Sequence, residues 1–316
     1  MCGICGKLVE GEGGEAGVTE PLLRAMSGRM VHRGPDGEGV LVRHYRDRSI
    51  GLGHRRLSII DLSEAGAQPM SNEDGTIWVL LNGEIYNFHE LRPALEAKGH
   101  RFRSRTDTEV IVHLYEEHGE SFVNHLRGMF AVAIWDEPNQ RLVLARDRLG
   151  QKPLFYSESI GVFRFGSELA ALLEDPALDR ELDRGALVDF LTVSYIPAPA
   201  SIFRGIRKLP PAHLLVREKG KSRIERYWSV DREPKWIAAE QEYVEGIRER
   251  VEECTRLRLV SDVPLGALLS GGIDSSAVTA IAQSRSRQPL RTFSVAVAAP
   301  GFDESGHARM VARALG

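Results

Sequence analysis

The spacing of apolar residues separates the chain into two parts. Before about residue 190, short runs with apolar side chains at alternate positions predict strands, and apolar residues three and four positions apart predict helices. The predicted strands are 4–9, 39–42, 76–81, 129–135, 141–145, 154–156 and 162–165. The predicted helices are 21–31, 89–98, 108–118 and 168–173. Because neighbouring strands pair locally, as across the loop 136–140, and the helices come in blocks, a layered α+β fold is favoured.

The pattern changes near residue 195. Two proline-rich stretches, 196–200 and 209–211, predict a stiff connector, and 225–230 is expected to close a short strand pair. A long helix (238–260), a buried strand (264–269), a helix from Asp274, a strand (292–297) and a last helix (304–315) follow. This alternation predicts a parallel α/β sheet. We therefore expect domains at 1–192 and 236–316, joined by a connector at 193–235, with the second domain truncated.

Composition narrows the class of protein. The chain has 316 residues, of which 42% are hydrophobic and 27% charged, as in globular proteins with two domains. The net charge of −3 gives no reason to expect binding to nucleic acid or to an acidic membrane. No apolar run approaches the ~18 residues that a membrane helix needs. Three cysteines do not make a disulfide framework, so a cytoplasmic protein is expected.

Cys2 is the first candidate for catalysis. Removal of Met1, which is common before a small residue, would give Cys2 a free α-amine. Such an amine titrates near ~7.7–8.0 and can act as a base for the adjacent thiol. Three alternatives remain open on these residues: a buried core cysteine, a redox pair with Cys5, and half of a zinc site. A redox pair normally begins a helix, and the isolated Cys254 supplies no second ligand pair.

Other polar residues could complete such a site. Asn82 and Gly83 follow an apolar strand, where a side-chain amide and a backbone N–H can form an oxyanion hole. The guanidinium of Arg56 matches a carboxylate, and Glu84 and Asp107 could bind an ammonium group. Taken one at a time, the alternatives are an ordinary Asn-Gly turn and surface ion pairs.

Five segments together resemble the class II glutamine amidotransferase domain: 1–4, 32–36, 56–59, 82–87 and 146–154. Their order and spacing agree over about the first 190 residues. The resemblance implies an N-terminal nucleophile hydrolase fold, an αββα sandwich, in which Cys2 attacks glutamine, forms a thioester and releases ammonia. It also implies roles for other residues. Asn82 and Gly83 would form the oxyanion hole, Arg56 would bind the glutamine carboxylate, Glu84 and Asp107 would bind its amino group, and the backbone of Leu57, Ser58, Ile59 and Ile60 would line the pocket.

The segment 270–276 is the second candidate site. It reads Ser270-Gly271-Gly272-Ile273-Asp274-Ser275-Ser276 and lies between a predicted strand and a predicted helix. Glycines followed by a helix N-terminus are suited to binding a phosphate. The segment is not a Walker loop. The alternative is a plain glycine-rich turn capped by Ser275. The segment is similar to the loop of ATP pyrophosphatases. That resemblance implies that Asp274 helps to hold Mg²⁺-pyrophosphate and that Leu269 and Val295 lie near the nucleotide.

The order of the two regions resembles the glutamine-hydrolysing asparagine synthetase family. This implies that ATP adenylates aspartate and that ammonia then gives asparagine, AMP and pyrophosphate. Two other hypotheses stay open. One is an amidotransferase of the same architecture acting on another carboxylate in a cell-surface or secondary-metabolite pathway. The other is a non-catalytic regulator that binds glutamine and nucleotide. The sequence leaves the acceptor, the pathway and the coupling between the sites undetermined, and a homodimer is compatible with it.

Overall fold

The computed structural model describes residues 1–11, 17–233, 235–286, 288–299 and 303–316. The chain forms two compact units, Met1–Val230 (the first unit) and Asp231–Gly316 (the second unit). Within the described ranges, no helix has both the length and the apolar character needed to cross a bilayer.

Two antiparallel six-stranded sheets build the first unit. Its strands are β1 (Gly3–Glu10), β2 (Gly37–Tyr45), β3 (Arg48–Arg56), β4 (Met70–Ser71), β5 (Ile77–Ile85), β6 (Gly128–Asp136), β7 (Arg141–Arg146), β8 (Phe155–Ser159), β9 (Val162–Gly166), β10 (Ile206–Lys208), β11 (His213–Glu218) and β12 (Lys221–Arg226). The strand orders are β10-β8-β9-β1-β3-β2 and β12-β11-β7-β6-β5-β4. The expected hairpin joins β6 to β7, with Asp136 opposite Arg141.

The described part of the first unit also contains five α-helices. They are α1 (Glu20–Gly28), α2 (Phe88–Ala97), α3 (Glu109–His118), α4 (Leu169–Leu172) and α5 (Arg184–Val193). Helix α1 packs on the first sheet and α3 on the second. The side chains of β1 show why the layers form: Ile4 and Leu8 lie in the core between the sheets, whereas Cys5 points to the opposite face and packs with Leu23 and Met26. The αββα sandwich implied by the resemblance is confirmed.

Most of the expected connector belongs to the first unit. Strand β10 pairs with β8, and β11 pairs with β7 in the second sheet. The apolar side chains Leu214, Leu215 and Val216 of β11 are buried, so this strand completes the sandwich instead of crossing between domains. The strand expected at 225–230 is β12, which ends at Arg226. The compact unit therefore ends at Val230, not at residue 192.

The second unit has the expected alternation of helix and strand. It consists of α6 (Glu240–Leu257), β13 (Gly266–Leu268), α7 (Ile273–Arg285), β14 (Arg291–Phe293) and α8 (Ser305–Leu315). The two strands pair in parallel, with Ala267 opposite Thr292. The prediction that 264–269 is a buried strand is wrong for most of its length, because Leu268 is 81% exposed and only Leu269 is buried. Phe293 of the partner strand is likewise 58% exposed.

Candidate active site

Cys2 lies directly before β1 and contacts the segment that follows β3. The Leu57 N–H donates a hydrogen bond to the Cys2 Sγ at 3.4 Å. Arg33 Nε donates to the Cys2 carbonyl oxygen at 3.0 Å, and the same guanidinium bonds Glu168, also at 3.0 Å. The backbone and the side chain of Cys2 are therefore both fixed by neighbouring segments.

Burial governs the ionisation of this end of the chain. Burial raises the pKa of the Cys2 thiol above its usual value, and the Leu57 N–H opposes that shift. Burial also lowers the pKa of the Met1 amine. Since a buried thiol with a raised pKa is a poor nucleophile by itself, it requires a base close to its sulfur.

Cys5 does not act with Cys2. The two side chains are three positions apart, so strand alternation places them on opposite faces of the first sheet. Cys5 is fully buried, and burial raises the pKa of its thiol. All three cysteines are free thiols. Cys5 is therefore a core residue, and the structure excludes a redox pair or a shared zinc site at these two positions.

One cavity collects most of the residues expected to bind glutamine. Cys2, Arg56, Leu57, Ile59, Ile60, Gly83, Glu84 and Asp107 line it, together with Gly66, Gln68, Leu81, Thr106 and Thr108. Ser58 and Asn82 do not line this cavity. Ser58 instead donates its backbone N–H to Asp36 Oδ2 at 2.8 Å, which anchors the cavity wall from outside.

The guanidinium of Arg56 organises the loop after β3. Its Nη1 donates to the Ser63 carbonyl at 2.7 Å, and its Nη2 donates to the carbonyls of Ile60, at 3.4 Å, and Asp61. The loop is thus wrapped around a cation that remains at the cavity surface. Backbone carbonyls hold Arg56 in place, and a carboxylate in the cavity would meet a fixed positive charge.

Asp107 supplies a buried carboxylate on another wall. Ile85 N–H donates to its Oδ2 at 2.7 Å, and Thr106 Oγ1 donates to its Oδ1 at 3.0 Å. Burial nevertheless raises the pKa of Asp107 to about 6. Gln68 braces this wall, because its Nε2 donates to Thr108 Oγ1 at 3.1 Å and its Oε1 accepts the Leu81 N–H at 2.6 Å.

Asn82 is buried in β5, beside the start of β1. Its Nδ2 donates to Ser167 Oγ at 3.4 Å, and the Ile4 N–H donates to the same hydroxyl at 3.0 Å. The Asn82 Oδ1 is buried and has no hydrogen-bond partner among the described residues. One serine hydroxyl therefore links the candidate oxyanion-hole amide to the strand that follows Cys2.

Gly83 permits a close approach between β5 and β6. A Cβ at this position would lie 2.1 Å from the Met129 carbonyl oxygen and 2.7 Å from the Phe130 Cα. No side chain fits at that distance, so only glycine allows this strand to reach the cavity while paired with β6.

Sequence reasoning assigned no role to four residues near the site. Arg33 and Lys152 lie inside two of the five segments that resemble the family, and this position was the signal in the sequence that could have identified them. Lys152 is buried, and burial, followed by the charge of Arg33, lowers the pKa of its ammonium group. Gln68 and Ser167 lie outside all five segments, and only the folded structure shows their hydrogen bonds.

The candidate phosphate loop of the second unit joins β13 to α7. Gly271 has φ +86°, and a Cβ there would lie 2.5 Å from the His307 Cβ, so glycine is required. Ser270 and Ser275 approach with their Oγ atoms 2.9 Å apart, and the Gly272 N–H donates to Ser270 Oγ at 3.2 Å. These groups form a tight turn, and the 13-residue helix α7 begins directly after it.

The residues expected to bind the nucleotide are divided between two cavities beside the loop. Leu269, Ser270, Ser275 and Val295 line one cavity, whereas Asp274 and Ser275 line a neighbouring one. Gly271, Gly272 and Ser276 line neither. The Ser276 Oγ is buried and has no hydrogen-bond partner in the part of the chain described.

Comparison with known families matches both units. Residues 1–228 match the family described as glutamine amidotransferase domain, and residues 246–316 match the family described as asparagine synthase. A solved structure described as the allosteric regulatory enzyme of purine biosynthesis has a TM-score of 0.51 at 17% identity, covering 95% of this chain and 67% of that one. This similarity concerns the fold alone.

Two curated relatives extend the comparison. Asparagine synthetase [glutamine-hydrolyzing] 1 of Bacillus subtilis (strain 168) is 37% identical over 317 residues, covering 100% of this chain and 49% of the relative. Amidase chry2 of Gibberella zeae is 36% identical over 306 residues, covering 91% of this chain and 44% of the relative. The chain thus spans about half the length of these curated relatives. Because the matched domain extends over residues 1–228, the chain belongs to the glutamine amidotransferase domain family.

Proposed function

We propose that the first unit hydrolyses glutamine to glutamate and ammonia, with Cys2 as the nucleophile after Met1 has been removed. The observation that carries this proposal is the single cavity shared by Cys2, Arg56, Glu84 and Asp107. It combines a thiol with one cation and two carboxylates. These are the groups needed to orient the two charged ends of an amino acid near a nucleophile.

The proposed reaction proceeds through a thioester. The α-amine of Cys2 removes the thiol proton, and the sulfur attacks the side-chain amide carbon of glutamine. The Asn82 amide and the Gly83 N–H stabilise the resulting oxyanion. The C–N bond breaks as the amine returns the proton to the leaving nitrogen, and ammonia departs. Water then attacks the thioester and releases glutamate.

Binding of glutamine follows from the fixed charges of the cavity. Arg56 pairs with the α-carboxylate, and Glu84 and Asp107 pair with the α-ammonium. The backbone of Leu57, Ile59 and Ile60 lines the pocket, and Ser58 supports it through Asp36.

We further propose that the full-length protein uses the ammonia for ATP-dependent synthesis of asparagine from aspartate. The match of residues 246–316 to the asparagine synthase family supports this assignment. Gly271, Gly272 and the start of α7 would receive the pyrophosphate, with Ser270, Ser275 and Ser276 as hydroxyl donors. Leu269 and Val295 would contact the nucleotide.

Mg²⁺ is compatible with the groups present. Asp274 is an exposed carboxylate in the first turn of α7, and Mg²⁺ usually takes one or two carboxylates together with phosphate oxygens. Bound Mg²⁺ would neutralise phosphate charge. A cytoplasmic, homodimeric enzyme is part of the same proposal, by analogy with the family.

The glutaminase assignment is tested by glutamate release from glutamine. Replacing Cys2 by Ala should reduce release to the level without enzyme, whereas the control C254A, at an exposed cysteine outside the cavity, should retain it. Intact mass of the wild-type protein should show that Met1 is absent. Undiminished release by C2A, in a protein that still folds, would refute the role of the thiol. Retained Met1 without turnover would favour the non-catalytic regulator.

The acceptor is tested in the full-length protein with ATP, Mg²⁺, glutamine and aspartate. Asparagine formed in step with AMP would establish the synthetase. Release of glutamate without asparagine would favour the second candidate, an amidotransferase for another carboxylate. The similarity to Amidase chry2, a relative named for something other than asparagine synthesis, supports that alternative.

A further inference from the structure

We propose that Glu73, His100, His113 and Glu116 form a binding site for one divalent transition metal, with zinc as the best fit. These four residues, the His–Glu cluster, each offer one ligand atom, and the four atoms lie within 4.8 Å of one another. None of the four lines the cavity around Cys2. The proposal therefore stands independently of the proposed glutaminase function.

The nitrogen–oxygen distances inside the His–Glu cluster are 2.9–3.6 Å, close to the ligand spacing of a tetrahedral site, and Glu73 approaches the two histidines through different oxygens. His113 Nδ1 lies 2.9 Å from Glu116 Oε2 and 3.6 Å from Glu73 Oε2. His100 Nδ1 lies 3.5 Å from Glu73 Oε1 and 3.6 Å from Glu116 Oε2. Zinc binds nitrogen and oxygen ligands at roughly 2.0–2.1 Å, which places tetrahedral ligands about 3.3–3.4 Å apart. Binding of the metal would draw together the carboxylates and the His100 ring, since the four ligand atoms now lie within 4.8 Å of one another.

Hydrogen bonds around the cluster resemble those that orient metal ligands. His100 presents Nδ1 to the cluster, and its Nε2 lies 3.1 Å from Glu117 Oε1. Asn72 Nδ2 donates to Glu116 Oε1 at 2.8 Å, and Arg101 N–H donates to Glu73 Oε1 at 2.8 Å. A carboxylate behind a metal-bound imidazole, and donors behind the ligating carboxylates, are the usual supporting groups of such sites.

The chemistry of the ligands favours a divalent cation. Two neutral imidazoles and two carboxylates carry a charge of −2, which one divalent ion balances. His113 is 1% exposed, and its Nε2 has no hydrogen-bond partner among the described residues. Its ring can therefore act on the cluster only through Nδ1. Imidazole together with carboxylate suits zinc better than magnesium or calcium, which prefer oxygen ligands alone.

A metal here would join three segments of the first unit. Glu73 lies in the turn before β5, His100 lies between α2 and α3, and His113 and Glu116 lie on α3. Four protein ligands leave no position for a substrate, so the site would be structural. The segment that leaves His100 continues to Thr106 and Asp107, and the metal would fix the start of that segment.

The test measures zinc binding to the whole chain by calorimetric titration after treatment with a chelator. It uses protein with C2S and C254S, because thiolates would otherwise bind zinc. We expect one Zn²⁺ per chain and a rise in Tm when Zn²⁺ is added. Glu116→Gln, at an exposed position, and His100→Gln should each weaken binding at least about tenfold and remove the rise in Tm.

The matched control is His118→Gln, which changes a histidine of the same helix outside the cluster and should leave binding intact. Co²⁺ provides a second measurement, because a tetrahedral site without sulfur gives visible d–d absorption and no thiolate charge-transfer band. The proposal is overturned if the protein takes up no zinc, or if E116Q and H100Q bind it as the parent does. In that case the cluster is an arrangement of His–Glu ion pairs only.

Discussion

Asp107 shows how burial in a cavity wall disfavours the ionised form of a carboxylate. Burial raises the pKa of Asp107 to about 6, and it outweighs the hydrogen bonds from Ile85 N–H, Thr106 Oγ1 and nearby backbone N–H groups, which favour the ionised form. The ionised carboxylate is therefore available above about pH 6 and becomes neutral below it. A ligand with an ammonium group would stabilise the ionised form further.

Glutamine binding should consequently weaken in acid. Below about pH 6 the KM for glutamine of the wild type should rise by up to ~10-fold per pH unit, because protonated Asp107 no longer attracts the ammonium. Asp107→Asn should have a high KM at every pH and a flatter profile. Kinetics of glutamate release between pH 5 and 8 measure both. The control D74N, at an exposed turn residue, should follow the wild type. A D107N enzyme with a wild-type profile would exclude the proposed contact.

Gly83 gives a second prediction for a single residue. G83A should lower the free energy of unfolding by about 1–3 kcal/mol or more, because the new Cβ would lie 2.1 Å from the Met129 carbonyl and push β5 away from β6. Urea denaturation measures the change. The control G28A, at the end of α1 with no atom within 4 Å of the added Cβ, should be neutral or slightly stabilising. Equal stability of the two variants would contradict this account.

Among the elements, β1 and β9 are tied to the segment after α4 by buried charges. The Asp175 Oδ2 lies 2.6 Å from Lys7 Nζ and 2.6 Å from Arg164 Nε, and the three side chains are at most 6% exposed. Burial alone would raise the pKa of Asp175, but hydrogen bonds from Lys7 and Arg164 prevail and lower it. This contribution to stability is present at neutral pH and is lost as the pH falls below about 4.

Removing that carboxylate should be strongly destabilising. D175N leaves Lys7 and Arg164 buried without their counter-charge, so we expect a loss of about 3–5 kcal/mol in the free energy of unfolding at pH 7. The neighbouring control E174Q breaks only the ion pair with the exposed Arg29 and should cost no more than about 1 kcal/mol. Chemical denaturation of both variants provides the measurement. Similar values for the two would show that the buried charges contribute little.

Strands with clear alternation were predictable, and strands rich in glycine or charge were not. The apolar residues of β1, β6 and β7 identified these strands. Strand β3 was missed because Gly51 and Gly53 stand where apolar side chains would be expected. Their lack of a side chain lets Leu23 approach the strand, since a Cβ on Gly51 would lie 2.6 Å from the Leu23 Cδ2. The small residues of this strand are required by side chains that are distant in sequence. The apolar periodicity of the segment therefore does not reveal the strand.

The candidate site was predictable wherever chemistry and motif coincided. Arg56, Glu84 and Asp107 were predicted from charges that would pair with an amino acid, and the structure brings them to one cavity with Cys2. Gln68 was not, because it acts through neutral hydrogen bonds to a β-strand and a loop that only the fold brings together. Asn82 was predicted for the oxyanion hole, which stays a prediction, and its bond to Ser167 depends on the pairing of distant strands.

At the scale of the whole molecule, the two units differ in how much apolar surface they bury. The large clusters of buried apolar residues lie in the first unit. In the second unit, the buried apolar residues of the described ranges are Leu257, Leu269, Ala282 and Ala308. Since burial of apolar surface provides most of the stabilisation, the second unit should be the less stable of the two.

Calorimetry of the chain should therefore show two unfolding transitions, with the second unit melting first. D175N should lower the transition of the first unit alone. G271A should lower the other, because its Cβ would lie 2.5 Å from the His307 Cβ and the native φ of +86° is strained for alanine. One transition that moves with both substitutions would instead show that the units unfold cooperatively.

The position of Cys5 has a consequence for oxidative damage. If peroxide converts the Cys2 thiol to a sulfenic acid, rescue within the molecule would require a nearby thiol that condenses with it. Cys5 is three residues away but lies across the sheet, fully buried against α1, and it is not accessible for that reaction. An oxidised Cys2 would thus depend on a small external thiol such as glutathione, and without one its oxidation would continue to the irreversible sulfinic acid.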